Sequence, residues 1–366
     1  MNDADRIREQ RKHEHIEAVR TLPELGGSGL EDVTLLPWTA SEVDLAEVSL
    51  ATEVLGHPVR SPVVLNAMTG GTEEARRING RLARLARRHG LALAVGSESA
   101  ALRDRRRAGS YTVARTENPD GVLMANVGMG TLPDAAQRAI DLIGADILQV
   151  HWNTAQELFM REGDRTFRGM LDALAEICRR LSVPVVAKEV GQGMAAGAAR
   201  RFAECGVQGI DVGGRGGTNF MAVEAWRAGV DLDPEWRTWG LPTAYSLAEV
   251  LAVAAGDLAV FASGGIRTGH DVAKCLALGA CATGVAGPLM RLAADPEAGE
   301  GEDDVDRRLD AWVERVHETL RKILVLTGAP DLETLRQRPV VVTGRAREWL
   351  EIRGYGDFVT TVARRA

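Results

Sequence analysis

The amino-acid sequence predicts an α/β protein built as one (β/α)8 TIM barrel. Short apolar runs recur along the chain, and most are followed by a stretch in which apolar residues have helical spacing. Polar residues or glycines close each run. The runs cover residues 63–67, 91–95, 122–125, 145–150, 183–187, 207–210, 258–262 and 281–285. Eight strand–helix units within about 225 residues match this barrel in number and length.

A doubly wound parallel sheet is the alternative architecture. It gives no reason for reactive residues to follow every strand, whereas in a barrel the carboxyl ends of all strands face one mouth. The helical pattern is clearest in residues 73–89, where Ile78, Leu82 and Leu85 fall on one face. We therefore expect the barrel, with its site at the carboxyl ends of the strands.

We expect residues 1–366 to form a single domain with two additions to the barrel. Residues 1–20 form a basic, helical arm, which is either solvated or folds over an anionic ligand. Residues 305–366 form a helical extension that contains a short strand at 340–342. Its first helix, about residues 305–326, has one apolar face that should pack on the barrel.

Composition and charge exclude several classes of protein. The chain has 44 basic and 51 acidic residues, so its net charge of −7 gives no cue for nucleic-acid binding. No apolar run has membrane-spanning length, and no signal-peptide core follows the charged N-terminus. The four cysteines lack Cys-x-x-Cys spacing and are expected to be buried free thiols. We expect a cytoplasmic protein with neither membrane nor nucleic-acid partners.

The fourth run ends in the densest group of reactive side chains. His151 lies at the end of the predicted strand, and Asn153, Gln156 and Glu157 follow it. One helical turn would point these last three side chains toward the same side. The alternative is a polar loop in which Asn153 or Thr154 only caps a helix.

Two glycine-rich loops, residues 213–218 and 263–269, follow consecutive late strands, and residues 284–287 follow the last strand. Backbone N–H groups in such loops, beside a helix N-terminus, bind anions, and barrels often bind phosphate there. Lys188 ends another strand, where a buried charge needs a partner. A flavin fits these features, with its phosphate on the loops and Lys188 near the ring edge that becomes anionic on reduction.

A series of motifs then runs in order along most of the chain. They occupy residues 11–12, 15–16, 68–71, 95–97, 125–128, 151–157, 188–191, 213–218, 239–243 and 262–267. Among them are Met-Thr-Gly-Gly, His-x-Asn-x-x-Gln-Glu and Gly-Gly-Arg-Gly-Gly-Thr. With these motifs the chain resembles the type 2, flavin-dependent isopentenyl-diphosphate isomerases.

This resemblance implies an isomerase that converts isopentenyl to dimethylallyl diphosphate in isoprenoid biosynthesis. Reduced FMN would act as acid and base without net redox, with Mg²⁺ as the metal and NADPH as the reductant. Glu157 would hold Mg²⁺ through oxygen, which suits a hard ion. We also expect a homo-oligomer whose small-molecule partner is a prenyl diphosphate or a related terpenoid.

The resemblance and the glycine loops together give a set of expected site residues. The catalytic residues are Gln156, His151 and Asn153. The substrate-binding residues are Arg11, Lys12, Ser97, His151, Asn153 and Gln156. The cofactor-binding residues are Ala67, Met68, Thr69, Ser97, Asn126, Lys188, Gly214, Gly216, Gly217, Thr218, Gly264, Gly265, Arg267, Ala286 and Gly287.

Three positions depart from the pattern of the resembled family. Glu98 and Ser99 stand where that family usually has glutamine and a diphosphate-binding arginine. Loss of a cation and gain of a carboxylate should weaken a diphosphate site, unless Arg103 or one of residues 105–107 compensates. Trp152 replaces a smaller aliphatic residue and is expected to alter the pocket.

A fourth departure, at Gln192 in place of an aromatic residue, adds to the same question. These changes leave open a related reduced-flavin enzyme that isomerises or cyclises a larger prenyl or terpenoid substrate. An FMN-dependent 2-hydroxy-acid oxidase is a further alternative, but it needs a histidine base near Arg267, and His270 is too far along the loop. A non-catalytic flavin-binding protein would not need Gln156 and Glu157.

Overall fold

The computed structural model describes residues 3–23, 26–254, 258–294 and 301–365, with side chains from Gln10 onward. The strands are β1 (Val33–Leu35), β2 (Thr52–Val54), β3 (His57–Val59), β4 (Val63–Leu65), β5 (Ala92–Ala94), β6 (Leu123–Gly128), β7 (Ile147–Trp152), β8 (Val185–Glu189), β9 (Gly209–Asp211), β10 (Ala259–Ser263), β11 (Ala282–Val285) and β12 (Val340–Val342).

The helices alternate with the strands over most of the chain. They are α1 (Asp3–Thr21), α2 (Glu73–His89), α3 (Ser99–Arg103), α4 (Gly109–Glu117), α5 (Pro133–Ile143), α6 (Thr154–Phe159), α7 (Met170–Arg180), α8 (Ala196–Glu204), α9 (Phe220–Ala228), α10 (Pro234–Thr238), α11 (Thr243–Leu251), α12 (Gly269–Leu278), α13 (Gly287–Ala294), α14 (Glu302–Leu326), α15 (Leu332–Gln337), α16 (Gly344–Ile352) and α17 (Gly356–Ala363).

Strands β4 to β11 are all parallel and close into a barrel, which confirms the predicted fold. The pairing of β11 with β4, through Thr283 opposite Val63 and Val285 opposite Leu65, closes the ring. Each predicted apolar run overlaps one barrel strand, and strands β6 to β10 extend one to three residues past the end of their run. All the strand ends that carry polar residues therefore face one mouth.

The barrel interior is apolar at its amino end. Alternate residues of the strands form this layer and are nearly inaccessible to solvent, as at Ile147 (0% exposed) and Phe261 (4%). Val54 and Val59, from the antiparallel β2–β3 hairpin, pack against the same layer. The hairpin thus covers the end of the barrel opposite the mouth.

Helix α2 has the bounds that the sequence predicts, with an N-cap residue at its start and a glycine C-cap at its end. The Thr72 hydroxyl accepts a hydrogen bond from the Ala75 N–H at 3.1 Å, and Gly90 ends the helix with φ of +65°. Helix α14 begins three residues before the predicted start and buries the predicted apolar face, with Leu309 and Leu320 fully enclosed. It packs against α12, α13 and α2 on the outside of the barrel.

Helix α1 is docked rather than solvated over the residues whose side chains are described. Ile16 and Ala18 are 2% and 0% exposed, and the helix contacts α9 and α13 near the mouth of the barrel. The solvated-arm alternative is therefore wrong for this part of α1. Arg6 and Arg8 of the basic arm lie outside the residues with described side chains.

The C-terminal segment returns to the start of the chain. Strand β12 pairs antiparallel with β1, with Val342 opposite Val33. Cysteines 178, 205, 275 and 281 are free thiols, as expected, but only Cys275 is buried and the other three are partly accessible. In the described ranges, the helices are too short or too polar to cross a membrane.

The apolar layer predicts a large difference between two isoleucine-to-alanine substitutions. Ile147→Ala should lower the free energy of unfolding by about 2–5 kcal/mol, because the barrel interior cannot collapse around the lost atoms. Ile352→Ala, at a position 78% exposed, should change it by less than about 0.5 kcal/mol. Urea denaturation of both variants measures this, and equal losses would contradict the assignment of the interior layer.

Candidate active site

A cavity of about 410 Å³ opens at the carboxyl end of the barrel and extends beneath α1. All the predicted site residues except Gly216 and Arg267 line it. They come from the arm, from the ends of the barrel strands and from both glycine loops. The sequence therefore identified the residues that the fold brings together, and their individual roles remain predictions.

Buried polar residues form the floor of the cavity, above the apolar layer. The Lys188 ammonium lies 2.8 Å from Oδ2 of Asp211, and both side chains are almost fully buried. The Ser263 hydroxyl donates to the other oxygen of Asp211 at 2.5 Å, and Asn66 Nδ2 donates to Oδ2 at 2.9 Å. Asp211 is therefore the partner that the buried charge of Lys188 requires.

The polar chain continues across the barrel from Asn66 to His151. Gln149 Nε2 donates to Asn66 Oδ1 at 3.4 Å, and Asn126 Nδ2 donates to Gln149 Oε1 at 3.1 Å. Asn126 Oδ1 then accepts from Nδ1–H of His151 at 2.7 Å. We call these side chains, together with Lys188, Asp211 and Ser263, the polar layer.

Sequence reasoning missed Asn66, Gln149 and Asp211 as members of the site. Each lies two residues after a position that faces the barrel interior. Val64 and Ile147 belong to the apolar layer, and a Cβ at Gly209 would lie 3.1 Å from Phe261 and Val186 of that layer. Because side chains of a strand alternate between its faces, such a residue must also point into the barrel. That spacing is the signal that could have found them.

His151 is held as a neutral imidazole. Burial, together with the nearby charges of Lys12 and Lys188, lowers the pKa of His151 to about 4. The hydrogen bond to Asn126 fixes the orientation of the ring. In the absence of an anion, His151 is thus uncharged near neutral pH.

The first turn of α6 brings three predicted side chains together. Asn153 occupies the N-cap position but makes no side-chain capping bond. Its Nδ2 instead donates to Glu157 Oε1 at 2.8 Å and to Gln156 Oε1 at 3.3 Å. The predicted convergence on one side is confirmed, and a purely capping role for Asn153 is excluded.

Glu224 on α9 is a further residue that the sequence did not single out. Gln156 Nε2 and His15 Nε2 each lie 2.8 Å from its Oε1, and Arg227 pairs with its other oxygen. Burial raises the pKa of Glu224, but the hydrogen bonds from His15 and Gln156 and the charge of Arg227 outweigh it and keep the pKa below its usual range. Glu224 therefore ties α1 and the α6 turn to the barrel as an anion.

The two glycine-rich loops are pressed against each other. Gly264 has φ of +102°, and a Cβ there would lie 1.8 Å from the Gly214 carbonyl oxygen. Within the described ranges, the backbone N–H groups of Gly217 and Gly265 have no protein acceptor. Both residues line the cavity, beside the N-terminus of α13 at Gly287. This arrangement can bind an anion such as a phosphate.

Gly216 and Arg267 belong to these loops but do not line the cavity. Arg267 donates to the carbonyl oxygens of Gly265 at 2.7 Å and of Gly216 at 2.5 Å, so its guanidinium holds the two loops together. Gly216 has φ of +140°, and a Cβ there would approach the backbone of Ser28 to 2.8 Å. Both residues shape the cavity wall from outside.

Two departures from the resembled pattern do not act on the cavity as expected. Glu98 is fully buried, and burial raises its pKa to about 8, so it carries no charge near neutral pH. The expected electrostatic weakening by this carboxylate is therefore wrong. Trp152 points away from the cavity and packs on Phe202, with ring centroids 4.8 Å apart. The expectation that it alters the pocket is also wrong.

Gln192 is likewise buried without lining the cavity, and His270 is exposed outside it. The Ser99 departure does face the cavity. Of the changes considered, it is the one that bears directly on the ligand.

Known proteins that match this chain show the general class of protein to which it belongs. The FMN-dependent dehydrogenase family matches residues 122–342, more than half of the chain. A solved mandelate oxidase has a TM-score of 0.61 at 21% identity, over 93% of this chain and 98% of that one. A lactate oxidase from Pediococcus acidilactici has a TM-score of 0.64 at 15% identity, over 90% and 87%. These structures share the fold, and the family match defines an FMN-dependent barrel.

Closer relatives define the family within that class. The chain is 44% identical to the isopentenyl-diphosphate delta-isomerase of Symbiobacterium thermophilum, over 95% of this chain and 96% of the relative. It is 42% identical to the enzyme of the same name from Moorella thermoacetica, over 96% and 99%. The chain belongs to the isopentenyl-diphosphate delta-isomerase family, which confirms the resemblance seen in its motifs.

The burial of Glu98 predicts a pH-dependent effect of Glu98→Gln. Its pKa is raised from an ordinary value of 4.5 to about 8, so the stability that the neutral carboxyl contributes is present below pH 4.5 and is lost as the pH rises to about 8. Glutamine has no such loss. The variant should therefore gain stability relative to the original protein between pH 5 and pH 8, as measured by urea denaturation. A constant difference across this range would show that Glu98 is not neutral.

Proposed function

We propose that this chain isomerises isopentenyl diphosphate to dimethylallyl diphosphate with reduced FMN bound in the cavity. The observation that carries the proposal is the composition of the mouth. Phosphate-compatible glycine loops line the same cavity as Arg11, Lys12 and the α6 turn. The names of the family members support the same reaction.

The residues present fit FMN. A cavity of about 410 Å³ is within the usual size of sites for cofactors. The N–H groups of Gly217 and Gly265 and the start of α13 suit its phosphate. Lys188 lines the cavity wall and offers a fixed positive charge, because Asp211 holds its ammonium.

Moving the double bond requires one proton to be added at the terminal carbon and another to be removed nearby. Bound, reduced FMN would supply this acid–base chemistry, as the family resemblance implies. The residues of the chain would position the substrate and exclude water. Three of the described carboxylates line the cavity, those of Glu157, Asp164 and Glu189. Glu157 accepts from Asn153 and from the backbone N–H of Asp164, and Glu189 accepts three backbone N–H groups, so neither of these two is free for the same task.

Gln156 is suited to orient a substrate rather than to hold a proton. Its Nε2 is directed to Glu224 and its Oε1 to Asn153, so both ends of the amide are fixed. His151 has a low pKa that an adjacent dianion would raise, because a nearby negative charge favours the imidazolium. We infer that diphosphate binding and protonation of His151 are coupled.

Glu157 fits a role in binding Mg²⁺ through one carboxylate oxygen. It lines the cavity, and within the described residues no cluster of three His, Cys, Asp or Glu side chains suits a metal. A single carboxylate is compatible with Mg²⁺, which commonly completes its shell with water and substrate phosphates. The family resemblance further supports NADPH as the reductant and a homo-oligomer in the cytoplasm.

The direct test is anaerobic incubation of the purified protein with FMN, a reductant, Mg²⁺ and isopentenyl diphosphate. Dimethylallyl diphosphate should form only while the flavin is reduced, without net consumption of NADPH per turnover. Absence of this product, together with conversion of a longer prenyl diphosphate, would favour the alternative substrate instead. Oxidised FMN serves as the control.

The metal assignment predicts that Glu157→Gln loses most of its activity at low Mg²⁺ while it retains FMN. The change removes one anionic oxygen ligand with little change in volume. Glu176→Gln on α7 is the matched control, since this exposed carboxylate pairs only with Arg179 among the ion pairs described. Turnover is measured across a Mg²⁺ titration, and an unchanged Mg²⁺ requirement in Glu157→Gln would remove it as the ligand.

A further inference from the structure

Helix α3 carries an arginine that reaches back over the start of its own helix. Arg103 Nη2 lies 3.3 Å from the Ser99 hydroxyl oxygen, one helical turn earlier, and the Ser97 hydroxyl lies 3.3 Å from the same oxygen. Residues four apart lie on the same face of a helix, which makes this contact possible. All three side chains line the cavity.

The Arg103 side chain belongs to a concentration of positive charge at one end of the cavity. Arg11 and Lys12 from α1 line the same cavity and the same small side cavity as Arg103. Burial and the charges of Arg11 and Arg103 lower the pKa of Lys12 to about 8. These like charges repel one another, and an anion bound among them would reduce the repulsion.

The same groups enclose a small side cavity of about 20 Å³, which adjoins the main one through shared lining residues. Its wall includes Arg11, Lys12, Ser99 and Arg103. That volume is enough for one small polar group such as a water or a phosphate oxygen. The Ser99 hydroxyl and four cations, Arg11, Lys12, Arg103 and Arg107, thus line one small cavity, together with the carboxylate of Asp104.

Neighbouring arginines have other engagements. Arg106 makes two hydrogen bonds to the Asp104 carboxylate, at 2.9 and 3.0 Å, and its side chain is 81% exposed. Arg107 donates to the Gly71 carbonyl oxygen at 2.9 Å. Arg103 is the arginine of this segment that contacts Ser99.

We propose that Arg103 is a substrate-binding and specificity-determining residue, which holds the terminal phosphate of a diphosphate together with Lys12 and Ser99. This inference rests on the proposed function for the identity of the substrate. The short side chain of Ser99 leaves space beside the cavity, and the guanidinium of Arg103 reaches into this space from the next turn of the helix. A planar guanidinium can make two parallel hydrogen bonds to a phosphate.

The test is calorimetric titration of the protein with inorganic pyrophosphate, so that binding is measured without turnover. Arg103→Gln should weaken binding by about tenfold or more, because a charge-assisted contact to phosphate is lost. Arg106→Gln is the control and should bind within about twofold of the original protein. Adding Ser99→Arg to Arg103→Gln should recover most of the lost affinity.

Turnover of isopentenyl diphosphate provides a second readout. Arg103→Gln should raise KM while kcat stays nearly constant, as expected for a contact made equally in ground and transition states. The proposal is overturned if Arg103→Gln binds pyrophosphate as Arg106→Gln does, or if Ser99→Arg recovers nothing. Failure of the proposed function would appear differently, as no isomerised product from the original protein despite tight pyrophosphate binding.

Discussion

The ion pair between Lys188 and Asp211 is the constraint on which the rest of the site depends. Both charges lie inside the barrel, where desolvation is costly and an unpaired charge is strongly destabilising. Asp211 satisfies this need with hydrogen bonds from Ser263 and Asn66 as well. The pair fixes a cation at the floor of the cavity and joins side chains from three strands, β8, β9 and β10, with that of Asn66, which directly follows β4.

Besides this floor, three separate parts of the chain line the cavity, namely the glycine loops, helix α1 and the α6 turn. In the glycine loops after β9 and β10, the N–H groups of Gly217 and Gly265 have no acceptor among the described residues, and they suit the phosphate of a cofactor. Helix α1 supplies Arg11 and Lys12, which line the cavity because the helix is docked on the barrel. The α6 turn supplies the Gln156 amide and the Glu157 carboxylate, whose orientations are fixed by hydrogen bonds to Glu224 and Asn153 respectively. A flavin and a diphosphate would thus be held by separate groups around one opening.

The barrel could be predicted from sequence because its signal is local and repeated. Eight apolar runs with polar ends can be recognised without knowledge of distant contacts. The residues at the carboxyl ends of the strands then come together because the barrel places all these ends at one mouth. The direction of a side chain near a strand end was harder to predict. Trp152 follows His151, so it must face outward to Phe202, and its size says nothing about the cavity.

Properties that depend on tertiary burial were beyond local reasoning. Glu98 has the formal charge of a carboxylate in sequence, yet full burial keeps it neutral near pH 7. The docking of α1 depends on contacts with α9 and α13. The hydrogen bond between His15 and Glu224 joins residues more than 200 positions apart in the sequence. Ser99 appeared to be a lost contact, and only the helix geometry shows that Arg103 can reach the same place.

The measurement that tests this account most directly is the effect of Asp211→Asn on stability and FMN binding. Removing the carboxylate while keeping the shape leaves Lys188 buried without its counter-charge, which should cost about 3–5 kcal/mol of unfolding free energy. FMN affinity should fall as well, because the cavity floor loses its order. Asp231→Asn, at an exposed position, is the control. Unchanged stability and unchanged FMN affinity in Asp211→Asn would contradict the claim that this ion pair organises the site.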